Sequence, residues 1–477
     1  MWLSATSVRW RIATAQTATL PGALEKSIAN PHDGSSYLRC RIDVAAASVM
    51  RRVAVLFRSA VISVAILAGL PAWASGAAAK TYYVDGQRGD NGGPGTASVP
   101  FRSFGRAVSL LAPGDKLVVA GGRYTQSLII TTSGTAQKPI TVVGDDRPLI
   151  ETAGDAIVIS GSYVEVSGFE AHSRGDSSAI SVGKRNHNVR IADNIARDSG
   201  CGGIALIQTD YAIIENNRVF GNSRRSPWQC SGISIYQASN FDHAKGVHNV
   251  IRQNLVYDNM DMVVENSISD SGGKTTDGNG IIFDDSRHSQ GGVADPAYDG
   301  LTLIENNIIF DNGGRGIHVF KSDHVVVRNN TSYHNVKDPN LLGRQTQAEF
   351  MAVDASDIRF VNNIAVPRDA TVYGFWAAQA KDIVCDYNLV DGGAPGEGGG
   401  ARAGWGPHNI VETDGANFVR PSVDAQTADF HLRPGSRAIG AGNIGDAPGE
   451  DFARRSRARS GPIDLGALQM ALPESRK

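Results

Sequence analysis

The stretch Gly316–Tyr333, GIHVFKSDHVVVRNNTSY, decides the architecture. After a glycine, apolar Ile317 and Val319 alternate with His318 and Phe320, the period-2 pattern of a strand with one face in a core. Lys321-Ser322-Asp323 makes a polar corner, Val325–Val327 a β-branched run, Asn329-Asn330 a second corner, and Thr331–Tyr333 a third short strand. The same grammar recurs in GIALIQTDYAIIENNRVF (203–220), in GIIFDDSRH (280–288) with LTLIENNIIF (301–310), and in EFMAVDASDIRFVNNIAV (349–366). The second Asn of each unit stands at Asn217, Asn307, Asn330 and Asn363, and Asn194, Asn254 and Asn388 occupy the matching place in variant units. Strands this short cannot bury a face alone, so such repeats must stack and share one core. The shortest interval, Asn307 to Asn330, is 23 residues, one coil of a three-sided solenoid. The expected fold is therefore all-β, a right-handed three-sided parallel β-helix. Asn at a fixed bend tolerates left-handed backbone, and its amide can bond the Asn of the next coil, so these positions predict a ladder.

A solenoid needs its ends covered. Phe101–Leu111 (FRSFGRAVSLL) sets Phe104, Ala107, Val108 and Leu111 at helical spacing behind Ser103, a candidate N-cap, and predicts a capping helix. From about Asp391 the repeat gives way to an irregular tail rich in Gly and Pro. The expected division is a capped β-helix over 75–390 and an extension over 391–477. Ahead of both, Met50-Arg51-Arg52, the apolar run Ser59–Leu70 and the A-x-A pattern at Ala72–Ala74 read as a signal peptide over 50–74. Residues 1–49 read as an over-extended gene start. The apolar run is too short for a membrane span, so a secreted protein is expected, periplasmic, extracellular or at the cell surface. Lys and Arg number 46 against 48 Asp and Glu, a net charge of -2, which excludes a polybasic binder of nucleic acid or anionic membrane. No P-loop, G-x-S-x-G, H-E-x-x-H or C-x-x-C motif is present. A monomer is expected.

Cys201 and Cys230 each stand two residues before the leading glycine of their coil, Gly203 and Gly232. Coils stack about 4.8 Å apart, within disulfide reach, so the two are expected to bond while Cys385 stays a buried thiol. Aligned on their leading residues, the coils also place Tyr236, Asp284, His318, Phe320 and Trp376 on the outward face of one sheet. At the following corner, Asp285, Lys321 and Asp354 fall on consecutive coils, an acid–lysine–acid column. On one reading the column is a set of cross-strand ion pairs at a solvated corner.

The opening of the mature chain, TYYVDGQRGDNGGPGT…PFRSFGRAVSLLAPGDKLVVAGGRY (Thr81–Tyr124), resembles that of secreted β-helix polysaccharide lyases, above all the pectate lyase family that uses a lysine base and calcium. The tail, Ala428–Leu468, is similar to the choice-of-anchor segment of bacterial right-handed β-helix proteins. The resemblance implies β-elimination on an acidic, uronate-containing polysaccharide. Lys321 would be the base, with Asp285 and His318 beside it, and Ca2+ on Asp284 and Asp285, with Asp277 as a third ligand, would neutralise the uronate. Tyr236, Phe320 and Trp376 would stack sugar rings, and Arg315 and Asp354 would contact substrate. Carboxylates alone favour a protonated lysine, and only a cation on them reverses the field, so on this view the lysine base depends on the metal. Two alternatives stay open. One is a non-catalytic glycan-binding surface or matrix protein, and the other is a glycoside hydrolase using an acid pair drawn from Asp284, Asp285 and Asp354.

Overall fold

The computed structural model describes residues 78–264, 272–343, 346–393, 405–413, 415–457 and 461–470. The signal peptide and the gene-start reading lie outside them. The chain winds through three parallel sheets of 11, 9 and 11 strands, each strand bonded to its counterparts one coil before and after. The nine-stranded sheet, called the front sheet below, carries the outward residues singled out above. Its last strands are β1 (Ile204–Ile207), β2 (Ile233–Tyr236), β3 (Ile281–Asp284), β4 (Ile317–Phe320), β5 (Ala348–Val353) and β6 (Tyr373–Ala378). Ile281 pairs with Ile317 and Ile317 with Phe350, so Gly280, Gly316 and Glu349 begin neighbouring rungs.

Alternation fills the core as expected. Ile204, Ile233, Ile281, Ile317 and Phe350 form one internal row, each with no exposed surface. The row continues into Phe375, whose ring stacks on that of Phe350 at 4.9 Å. Each such side chain contributes about 1.5–3 kcal/mol of burial, so the stack rather than any single coil carries stability.

The asparagine ladder is present, and it divides the two roles that a single Asn was expected to play. The second residue of each pair points inward. Asn194, Asn217, Asn254, Asn307, Asn330, Asn363 and Asn388 each donate Nδ2–H to the Oδ1 of the next member at 3.0–3.2 Å, the last to Asn409. The first residue takes the left-handed turn, with φ of 54° at Asn216 and Asn306, 52° at Asn329 and 61° at Asn362. A second ladder runs one corner further on, through Asn222, Asn259, Asn312 and Asn335, and ends on Glu349 Oε2.

At the N-terminal end, Phe104, Ala107, Val108 and Leu111 are buried as expected, but the helix α1 is short, Phe104–Val108. Phe101 is drawn into a bridge beside Val84 instead. Ser103 is extended and makes no side-chain cap; its Oγ accepts from Asn91 Nδ2 at 2.9 Å. At the other end the solenoid continues past 390, because Ile410–Glu412 adds a strand beside Leu389–Asp391. The remaining tail folds back along the coils. Phe418, Phe430 and Leu432 pack on Tyr257, Ile308 and Phe310. The outward first asparagines hold it by backbone: Asn306 Nδ2 donates to Glu450 O at 2.7 Å, Asn329 Nδ2 to Asp464 O at 3.2 Å, and Asn362 Nδ2 to Asn443 O at 2.9 Å.

Cys201 and Cys230 are bonded across neighbouring coils with Cα atoms 5.2 Å apart, and Cys385 is a buried free thiol. Among the described residues no helix is long and apolar enough to cross a membrane. The disulfide fits an oxidising, extracytoplasmic setting.

Candidate active site

The outward face of the front sheet changes character between β2 and β3. Ser234 and Tyr236 are half-buried, whereas Ile282, His318 and Met351 expose no more than 6% of their surface. The loops before β3 and β5 meet across the intervening coil: Thr275 N–H donates to Asn340 O and Leu342 N–H to Thr275 O. Charged and polar groups are enclosed there. Arg315, just before β4, is buried; it donates to the Thr276 carbonyl and its backbone N–H to Asn279 Oδ1 at 2.9 Å. Arg315, expected to contact substrate, is thus enclosed and bonded to its own chain. Its Nε has no partner, and neither ring nitrogen of His318 has one. Burial, and then Arg315, hold His318 well below the usual imidazole range, so it is neutral. Burial lowers Arg315 itself to about 10.

Two half-buried carboxyls border this enclosure. Asp277 takes Asn279 Nδ2 at 2.7 Å, and burial raises its proton affinity against the pull of Arg315. Asp284, at the end of β3, accepts from Gln290 Nε2 at 2.9 Å. Burial first, then the charges of Asp277 and Asp285, push Asp284 well above the carboxylate range, and Lys321 only partly offsets them. Tyr236 and Phe320 flank Asp284 in register. Asp261, which the sequence reading missed, belongs to the same acidic neighbourhood. Burial lifts it to about 8, Asp277 and Asp338 add to the rise, and its Oδ2 is buried without a partner. Its place two residues after a ladder asparagine, Asn259, is the signal that would have pointed to it.

The corner column is corrected. Asp285, Lys321 and Asp354 do fall on consecutive coils, with φ of 49°, 47° and 50°, but they do not form a continuous chain of contacts. Lys321 Nζ donates to Asp354 Oδ2 at 3.1 Å and lies 5.4 Å from the Phe320 ring centre. Asp354 also receives Arg287 at 2.9 Å. Asp285 is fully buried and turned toward its own loop, where both oxygens are taken. Oδ1 accepts from Ser289 N and Oγ at 2.7 Å, and Oδ2 from Gln237 Nε2 at 2.9 Å and Gln290 N at 3.0 Å. It organises a loop and is not available as a catalytic group. The inserted loops after β2 and β3 are tied to each other, Asn240 Nδ2 donating to Ala297 O at 3.1 Å and Asp299 N to Asn240 Oδ1.

The calcium expectation fails the same test of donors. Calcium takes six to eight oxygens, and Asp285 has none to spare. No three His, Cys, Asp or Glu side chains among the described residues gather as a metal cage. Asp277, Asp284 and Asp285 therefore do not fit as a three-carboxylate site. The stacking platform is also corrected in one member. Tyr236 and Phe320 keep partial exposure, but Trp376 is nine-tenths buried against Tyr373, Met351 and Ala348.

A cleft of about 410 Å³ lies elsewhere, between Arg190, Glu215, Arg252 and Glu305 of another sheet and Glu450 and Arg454 of the tail. Arg190 and Arg252 both pair with Glu215, and no lining side chain leaves a buried polar atom unpartnered. Its chemistry is closed, unlike that around Asp284.

Residues 82–349 match the family described as "Pel9A-like, right handed beta helix region". Among solved structures, the pectate lyase Pel9A superimposes with a TM-score of 0.50 at 17% identity, over 82% of this chain and 96% of that one. A rhamnogalacturonan lyase gives 0.43 at 14% identity, over 72% and 91%. The GH136 lacto-N-biosidase from Eubacterium ramulus gives 0.40 at 18%, over 65% and 56%. No curated protein matches.

Proposed function

Because the chain belongs to the Pel9A-like right-handed β-helix family, we propose that it is an exported enzyme that cleaves a uronate-containing polysaccharide by β-elimination on the front sheet. The observation that carries this reading is the cluster at the end of β3: a half-buried Asp284 whose proton affinity is raised by burial and by Asp277 and Asp285, on the sheet face that also carries His318, whose ring nitrogens have no partner. Buried polar atoms without partners are rare and mark places where a ligand completes the bonding.

Elimination needs charge drawn off the uronate carboxylate, a base for the proton on the adjoining ring carbon, and a proton for the departing glycosidic oxygen. A carboxylic acid kept neutral by its surroundings can donate a hydrogen bond to a developing oxyanion. In this reading Asp284 donates to the uronate carboxylate as negative charge builds on it, with Arg315 adding positive field. Lys321, ion-paired to Asp354 and close enough to influence Asp284, is the candidate base once substrate displaces Asp354 from it, since a carboxylate partner favours the charged lysine. The C–H pair becomes the new C=C bond, the C–O bond to the leaving sugar breaks, and a proton is returned to that oxygen. Calcium is not part of the reading, since the donor set does not fit it.

A second reading, hydrolysis by an acid pair, has its own support. Asp277 has Arg315, Asn279 and Thr276 to stabilise its charge, while Asp284 has chiefly like charges about it. Environments that separate two carboxyls in this way assign an acid and a base.

The test is a panel of pectate, alginate and glycosaminoglycan polymers assayed with and without chelator. Ultraviolet absorbance of unsaturated products, undiminished by chelator, supports the first reading. New reducing ends without that absorbance support hydrolysis instead, and strict dependence on calcium overturns the metal-free chemistry.

A further inference from the structure

Trp228 exposes 73% of its surface, and the loop that presents it is held on every side. It lies between the strand Arg218–Phe220 and β2. Arg225 N and Ser226 N both donate to Gly200 O at 3.0 Å. Gln229, next to the tryptophan, donates Nε2–H to Pro227 O and Val263 O at 3.3 Å, and its Oε1 accepts from Thr276 N and Oγ1 at 2.8 Å. Two residues beyond Trp228, Cys230 is bonded to Cys201, and its carbonyl accepts from Gly278 N at 2.9 Å. A large apolar side chain is thus kept in water on a backbone with no freedom to withdraw it. Exposed apolar groups scattered singly are ordinary; one fixed by a disulfide and by bonds to three other segments is preorganised.

Its position gives the ligand. Trp228 stands five residues before β2, Asp277 four before β3 and Arg315 two before β4. All three occupy the edge where successive front strands begin, on coils spaced about 4.8 Å apart. Gln229 bonds Thr276, the neighbour of Asp277.

We propose that Trp228 is a sugar-stacking platform at the edge where the front strands begin, seating one pyranose ring of the polysaccharide beside the ring being cleaved. The proposal deepens the function given above and rests on it for the class of ligand. An indole offers a flat apolar face for the C–H side of a sugar ring and an N–H for a hydroxyl, at little entropy loss when already fixed.

Electrophoresis through native gels containing polygalacturonate, alginate or chondroitin sulfate tests it. The wild-type chain is retarded in at least one gel, Trp228→Ala loses at least tenfold of the apparent affinity there, and Trp228→Phe keeps most of it. Val411→Ala, which trims another exposed apolar side chain on a different sheet, is retarded like wild type. Equal retardation of wild type and Trp228→Ala overturns the proposal, as does no retardation of the wild type in any of the three gels. Loss of retention in Trp228→Ala from a chain that cleaves nothing leaves the platform standing and removes the catalytic reading, so the two fail separately.

Discussion

Replacing Glu349 by Gln asks whether the inner ladder ends on a group that titrates. Glu349 is fully buried and accepts from Ser332 Oγ at 2.6 Å, Asn335 N at 2.9 Å and Asn335 Nδ2 at 2.6 Å. Burial outweighs these bonds and lifts its midpoint from 4.5 to about 7. A carboxyl that holds its proton more tightly in the folded chain stabilises the fold fully below 4.5, and that contribution is lost as pH rises through about 7. At about 1.4 kcal/mol for each tenfold change in proton affinity, the loss amounts to about 3 kcal/mol. Gln keeps the shape and one carbonyl acceptor but cannot ionise. Urea unfolding followed at several pH values across this window should show wild-type stability falling by about 3 kcal/mol relative to Glu349→Gln. The difference between the two curves is the readout, because Asp261 and Asp284 titrate in both. Parallel curves across the window would refute the reasoning.

Lys321→Ala removes a partly exposed ion pair worth at most about 1 kcal/mol, so the fold should persist while cleavage falls by at least about a hundredfold; unsaturated-product absorbance measures it, and full activity ends the lysine mechanism. In Asp284→Asn an amide N–H replaces a carboxyl raised well above its usual range. Wild-type elimination should decline as pH rises through that raised midpoint, and the variant, slower throughout, should lack the decline in its kcat profile. If Asp284 is instead the acid of a hydrolase, the variant should be inactive at every pH. Cys201→Ser opens a loop with a sequence separation of 29 residues and should lower unfolding stability by about 3–4 kcal/mol in denaturant titrations; a change within error would show that the stacked coils already restrict that loop.

What was legible in the sequence is what the repeat imposes on every coil. Seven ladder asparagines, the register of Gly280, Gly316 and Glu349, the alternation of core residues and the Cys201–Cys230 bond all follow from one periodic rule, because stacking forces equivalent positions into contact. The second ladder obeyed the same rule and could have been found: Asn222, Asn259, Asn312 and Asn335 each follow a first-ladder asparagine by five residues. The site was read less well because its groups face loops that have no period. Asp285 looked like a ligand until Ser289 and Gln290, on an inserted loop, took its oxygens. Arg315 looked open to substrate until the loop before β3 closed over it. Trp376 looked open because alternation tells which way a side chain points and nothing of what lies above it.

The tail reaches the solenoid through the outward asparagines at three successive corners, Asn306, Asn329 and Asn362. Those amides come into line only after the coils that carry them have been laid down in the correct phase. A slipped or missing turn would present a different side chain at one of the three points and leave tail carbonyls without donors. Closure of the tail thus works as an inspection of the winding beneath it: a chain with one coil out of phase should show its last fifty or so residues open to protease while the rest stays resistant.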